Sequence, residues 1–194
     1  MPTQAERTEA TRGRLITTAR RLFAERGFAA TSTEEILSEA AVSRGALYHH
    51  FPSKTDLFQA TFEQVEDELT ERVLQGASIG GETDPIQILQ LGFDAFLEQC
   101  VNPEVQRIVM LDGPTVLGWD LWHELDERYG FGTIKAVLTV AADIGRIEPS
   151  TVEPLAHLLL GAIMQAGMVV ARADDPSTAR KSMTETFAGI ISGL

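Results

Sequence analysis

The stretch from Ser32 to Pro52 leaves room for two short helices and a tight turn, and for little else. Ser32 followed by Glu35 is a capping-box pattern, in which the serine oxygen accepts from the third helical amide and the glutamate reaches back to the serine N–H. The helix so opened has Ile36, Leu37 and Ala40 on its buried side. Ser43 is a second cap, and its helix must stop near Phe51, because the residue before Pro52 is steered away from helical geometry. Upstream, Leu15, Ile16, Ala19, Leu22 and Phe23 recur at helical spacing and stop at Gly27. Three short helices, the last two joined around Ala41 to Ser43, form a helix-turn-helix pattern over about residues 32–51.

The third helix divides its residues by chemistry. With ~100° per step and Arg44 as zero, Tyr48 falls near ~40°, Gly45 near ~100° and His49 near ~140°. Ala46, Leu47 and His50 occupy the other half. One face therefore offers a guanidinium, a phenol, an imidazole and bare backbone, as a groove-reading helix requires. Phosphate contacts are expected at the edges: the amides opening the second helix together with the hydroxyls of Thr31, Ser32 and Thr33. Lys54 lies in the first turn of the fourth helix, where the helix dipole disfavours a cation, and a phosphate partner would account for it.

Charge is unevenly distributed. The chain of 194 residues has a formal net charge of −12. Residues 1–55 hold eight basic and six acidic side chains (net +2), and the rest hold eight basic and twenty-two acidic (net −14). Only the first quarter suits a polyanion, which excludes non-specific coating of nucleic acid but not a local contact.

Helical periodicity continues. Ser53 caps a long fourth helix with Leu57, Phe58, Phe62, Val65 and Leu69, fading between Gly76 and Gly81. Asp84-Pro85, Asn102-Pro103 and Asp175-Pro176 pair a capping residue with proline at the first helical position. Asp112-Gly113-Pro114 and Tyr129-Gly130-Phe131-Gly132 are expected to break or bend the chain, and Arg146 to Pro154 is a connection. The expectation is an all-α protein of about nine helices, with a DNA-binding domain over 1–55 and a helical body over 56–194. The single Cys100 makes no internal disulfide, the N-terminus lacks an apolar run of the signal-peptide kind, and Leu155 to Ala171 reads as a buried helix. The chain is thus expected in the cytoplasm, away from membranes.

The segment from Arg14 to Phe58 resembles the DNA-binding domain of the tetracycline-repressor (TetR) family. The pieces that carry the likeness are Ala19-x-x-Leu22-Phe23, Gly27-Phe28, Thr31-Ser32-Thr33-Glu34-Glu35-Ile36, and SRGALYHHFPSKTDLF from Ser43. The resemblance implies DNA contact by Thr33, Ser43, Arg44, Gly45, Tyr48, His49 and Lys54. It also implies a homodimeric repressor that a small-molecule effector releases from a palindromic operator. One departure stands out: Ala40-Ala41-Val42 lacks the glycine usual in this turn, which places Ala41 in a strained conformation.

In such a family the body encloses an effector cavity. Phe93, Phe96, Met110, Trp119, Trp122, His123, Met164 and Met168 are the side chains of the kind that would line one. Leu155, Leu158, Leu159, Ala162, Ile163, Ala166 and Val170 form one helical stripe, yet Leu160, Met164 and Met168 lie off it. A helix apolar nearly all round needs cover on more than one side. Together with Met183, Phe187 and Ile190 of the last helix, Leu155, Leu159, Ala162, Ile163 and Ala166 are expected at the dimer interface, which the family resemblance builds as a four-helix bundle. Asp120, His123, Glu124 and Glu127 share a helical face with metal-ligand spacing, but such a face is more often solvated, and no metal or other cofactor is expected. No nucleophile–base unit supports an enzyme. An enzyme in the helical body, dependent on a metal or a small molecule, is the alternative. A sequestering protein without DNA activity is a further one, disfavoured by the polar face of the third helix.

Overall fold

A computed structural model describes residues 3–78 and 81–193. Counting each uninterrupted run once, its described residues form nine helices and no strand. Helix α1 (Gln4–Arg26) begins earlier than its apolar pattern suggests, because Thr3 and Glu6 form a capping box. Its Leu15, Ile16, Ala19, Leu22 and Phe23 are all buried. Helices α2 (Thr33–Ala40) and α3 (Arg44–His50) follow, opened by Ser32 and Ser43, and α4 (Lys54–Ala77) is opened by Ser53.

Ala41 closes α2 in the left-handed conformation, with φ 51° and ψ 47°, and is the only non-glycine with positive φ among the described residues. The missing turn glycine therefore leaves strain, on the order of 1–2 kcal/mol for a residue with a Cβ. Phe23, Phe28 and Phe58 meet edge to face or tilted, with centroids 5.3–5.7 Å apart, and tie α1 to α4.

Helix α4 serves both halves of the molecule. Its first turns bury Leu57 and Phe58 under the helix-turn-helix, and its remainder packs on α5 (Pro85–Gln99). That second contact needs glycine: a Cβ on Gly76 would lie 2.5 Å from the Ala95 Cβ.

The expected breaks at Asp112-Gly113-Pro114 and Tyr129-Gly130-Phe131-Gly132 are not breaks. Short α6 (Pro103–Val105) runs through a π-helical stretch, Gln106–Asp112, into α7 (Gly113–Val116). Proline in a regular helix clashes with the carbonyl four residues back. Here the turn widens just before Pro114, with Gly113 N–H donating to the Ile108 carbonyl five residues back. Likewise α8 (Trp119–Asp126) passes through π-helical Glu127–Phe131 into α9 (Gly132–Asp143). Gly130 is needed for proximity, since a Cβ there would lie 2.6 Å from Leu160 Cδ1.

Helices α10 (Val152–Arg172) and α11 (Pro176–Ile191) complete the body, packed on α5 and α9. With the turn before it, α10 is long and apolar enough to cross a membrane by length and composition. Its apolar surface is covered on one side by these neighbours, and Phe187 of α11 stacks on Phe93 of α5 at 3.9 Å.

Candidate DNA-reading surface and body cavity

Helix α3 is held by one face. Leu47 is 1% exposed, while Ser43, Arg44, Gly45 and His49 are exposed and Tyr48 is 47% exposed. His50 is half-buried beside Phe51, on the packing side where the helical wheel puts it. Gly45 has open space around it: a Cβ there would meet nothing within 4 Å. The fold therefore does not demand glycine, which in a helix interior costs about 1 kcal/mol relative to alanine. The Arg44 guanidinium ion-pairs with Glu34 of α2, and both side chains are about two-thirds exposed. Screening by solvent makes such a pair worth little to stability.

The residues expected to hold phosphate separate into those free to do so and those already engaged. Thr31 is 1% exposed, and its hydroxyl donates to the carbonyls of Gly27 (2.9 Å) and Leu22 (3.3 Å). It ties the chain after α1 and does not face a ligand, which corrects the expectation. Ser32 is exposed, but its oxygen accepts from Glu35 N–H and its hydroxyl donates to the Glu35 carboxylate. Thr33 is half-buried beside that cap and donates to Glu34 at 3.3 Å.

Lys54 also has an internal engagement. Its ammonium donates to the Phe28 and Thr31 carbonyls, both at 2.8 Å, and lies 4.0 Å from the Phe28 ring centroid. Partial burial holds its pKa below the usual lysine value. The apparent misplacement at a helix N-terminus thus has an internal reason, and a phosphate is not needed to explain it.

Two further junctions were not legible as motifs. Arg20 of α1 makes paired hydrogen bonds of 2.5–2.7 Å to Glu68 of α4 and to Glu104 of α6. Hydrogen bonds to Glu104, then Glu68, raise the arginine further, and Arg20 holds Glu68 below its usual carboxylate range. Gly27, at φ 80° and ψ 165°, lies directly under the Arg107 guanidinium, and Phe28 N–H donates to Asp112 at 2.7 Å. The reading unit is thereby fastened to the body at two points.

The body contains a cavity of about 140 Å³ between α4, α5, α9 and α10. Of the expected lining, it brings together Phe93, Phe96 and Met164. The other five do not reach it. Met110 is buried at 1% exposure in the core, Trp122 at 8%, and Met168 is half-buried on α10. Trp119 is 68% exposed and stacks on exposed His123. Leu69, Val73, Leu89 and Ile134 line the cavity and were missed, and Tyr129 lines it from the π-helical stretch that was expected to break the chain.

His123 approaches Glu127 at 3.6 Å and His157 approaches the same carboxylate at 3.9 Å, both on the surface. Among the described residues no group of three or more such side chains is placed to hold a metal.

The dimer expectation needs a change of phase. Leu159, Ala166 and Phe187 are 4–6% exposed inside the protomer, and Leu155, Ile163 and Met183 are half-buried. Only Ala162 and Ile190 face outward, Ile190 with 65% exposure. The outward stripe of α10 is Leu158, Gly161, Ala162, Gln165 and Val169, with Leu158 72% exposed.

Comparison with known proteins agrees with this architecture. A family model described as bacterial regulatory proteins, tetR family, matches residues 15–61, and one described as tetracyclin repressor-like, C-terminal domain, matches residues 86–194. The transposon Tn10 TetC protein of Escherichia coli is 27% identical over 164 residues, covering 83% of this chain and 80% of that protein. The regulator CymR of Pseudomonas putida is 38% identical over 112 residues, 57% of this chain, which spans about half (55%) of CymR's length. The crystal structure of a TetR-family transcriptional regulator from Pectobacterium atrosepticum superposes with a TM-score of 0.84 and 31% identity, covering 100% of this chain and 97% of that one. The chain belongs to the TetR family of DNA-binding transcriptional regulators.

Proposed function

We propose that this regulator represses transcription in the cytoplasm by binding a palindromic operator as a homodimer, and that a small molecule entering the body cavity releases it. The observation that carries the reading is the division of α3: Leu47 buried at 1%, and Arg44, Gly45, Tyr48 and His49 exposed around a glycine the fold does not require. Arg44 is suited to bidentate contact with guanine, Tyr48 and His49 to base edges or phosphates, and Gly45 to close approach of the backbone. Ser43 and Thr33 flank that face.

Homodimerisation is supported by the outward stripe of Leu158, Gly161, Ala162 and Val169 with Ile190, since large apolar groups exposed together mark an interaction surface. Small residues at its centre allow close helix approach. Release by ligand is supported by the course of α4. Its first turns lie under the reading unit, and Leu69, Val73 and Leu74 line the cavity about three to five turns later. A ligand that binds better when α4 and α5 are further apart favours a state with altered spacing between reading helices.

Selection of bound duplexes from a random library tests this. Enrichment of a palindrome with half-sites about one turn apart (~34–36 Å) is expected. Failure to enrich any sequence, or enrichment of a lone half-site, contradicts it.

A further inference from the structure

Helix α2 is acidic for an element set beside a reading helix: it carries Glu34, Glu35 and Glu39 and no basic residue. Two of these carboxylates are engaged with α1. Glu35 closes the capping box and ion-pairs with Arg26, and Glu39 ion-pairs with Arg21, so both fasten α2 to α1. Glu34 reaches α3 instead. One of its carboxylate oxygens accepts from Nη2 of the Arg44 guanidinium, and the other accepts from the Thr33 hydroxyl at 3.3 Å. A carboxylate held at both oxygens gives Arg44 a fixed counter-charge on the exposed face of α3.

That contact uses one nitrogen of Arg44, so another edge of the guanidinium stays open to the paired O6 and N7 acceptors of guanine. A phosphate stands differently, because it competes with Glu34 for the same charge. One phosphate contact is worth about fivefold in affinity at ~0.15 M salt through counterion release, the same order as an exposed ion pair. A bidentate contact with guanine is worth about tenfold or more. The carboxylate therefore offsets most of what Arg44 gains from phosphate and leaves what it gains from guanine.

We infer that Glu34 is a specificity-determining positioning residue, which orients Arg44 for guanine and withholds its charge from the phosphates of non-operator DNA. This rests on the reading of Arg44 as a base contact.

Fluorescence anisotropy tests it with the native chain, Glu34→Gln, Arg44→Ala and the double variant. Each is titrated with the selected operator and with a scrambled duplex of equal length, over ~50–200 mM salt. Glu34→Gln should bind the scrambled duplex about fivefold tighter, with the slope of log affinity against log salt steeper by about one unit. Operator affinity should not rise and its slope should not change, so the ratio of the two affinities falls at least about fivefold. Without Arg44, the same substitution should leave that ratio where it was. Glu34 is exposed, and retained operator binding reports that the variant is folded. A purely structural role would weaken both duplexes alike.

An unchanged ratio, whether both affinities shift together or neither shifts, overturns the inference. So does a fall in the ratio that persists in the Arg44→Ala background. Operator affinity undiminished by Arg44→Ala alone removes the reading of Arg44 itself, and the single variant shows it separately from the other outcomes.

Discussion

The ammonium of Lys54 lies 2.8 Å from the carbonyl oxygen of Thr31, so two residues suited by type to hold phosphate hold one another. The same ammonium bonds Phe28, and together these contacts fix the loop between α1 and α2 against the start of α4. Positioning of the second helix thus depends on a cation at the base of the fourth.

Removing that ammonium while keeping its stem, as in Lys54→Met, leaves two carbonyls without their donor. A loss of about 1–3 kcal/mol is expected by urea unfolding. DNA affinity should fall through misplacement of α2, with the slope of log affinity against log salt unchanged. A slope reduced by about one unit would instead mark a direct phosphate contact.

Arg20 joins α1 to Glu68 and Glu104, and Arg20→Met leaves both carboxylates facing an apolar stem. The variant should be less stable at neutral pH. Because Arg20 lowers the folded-state pKa of Glu68, the stabilisation is present above the unfolded carboxylate value, roughly 4.3, and is lost as pH falls through the lower folded value. The gap between native chain and variant should therefore narrow below about pH 4 in thermal melts. A gap that widens on acidification would rule out this linkage.

Gly45 separates fold from function more cleanly. A methyl group added there would have no atom within 4 Å, so Gly45→Ala should raise stability by up to about 1 kcal/mol. The same methyl stands between the α3 backbone and the groove, so operator affinity should drop. Improved stability with undiminished DNA binding would show that the backbone does not approach the duplex here.

Leu158 is 72% exposed at the N-terminal end of the outward stripe of α10. Leu158→Glu should leave the protomer folded by circular dichroism but shift sedimentation from dimer to monomer. Ile163, half-buried within the protomer, should on substitution by alanine lower the melting temperature without that shift. The reverse pattern would return the interface to the Leu155–Ile163 side.

Much of this was legible because capping is local chemistry. Ser32, Ser43, Ser53, Asp84, Asn102 and Asp175 all cap the helices they were expected to open. The reading face was equally legible, since a seven-residue helix with one buried leucine has only one phase. Helix α10 has no such phase in its sequence: with apolar residues all round, only the positions of α5, α9 and α11 decide that Leu159 goes in and Leu158 out. Met110 and the two tryptophans showed that nearness along the chain to Phe93 and Phe96 is not nearness in space. Thr31 looked like part of the cap beside Ser32, and its partners, Leu22 and Gly27, belong to the turn of the chain behind it. The π-helical turns were read as breaks because proline and glycine are the signals of both.

The most direct test of the account is the affinity of Arg44→Ala/Tyr48→Ala for the selected operator, measured by fluorescence anisotropy beside its thermal melt. Both side chains are exposed, so the melt should match that of the native chain within a degree or two, on the order of 0.5 kcal/mol. Loss of a bidentate base contact and a second groove contact should weaken binding by about a hundredfold or more. A folded double variant that binds and footprints the operator like the native chain would contradict the claim that α3 reads DNA.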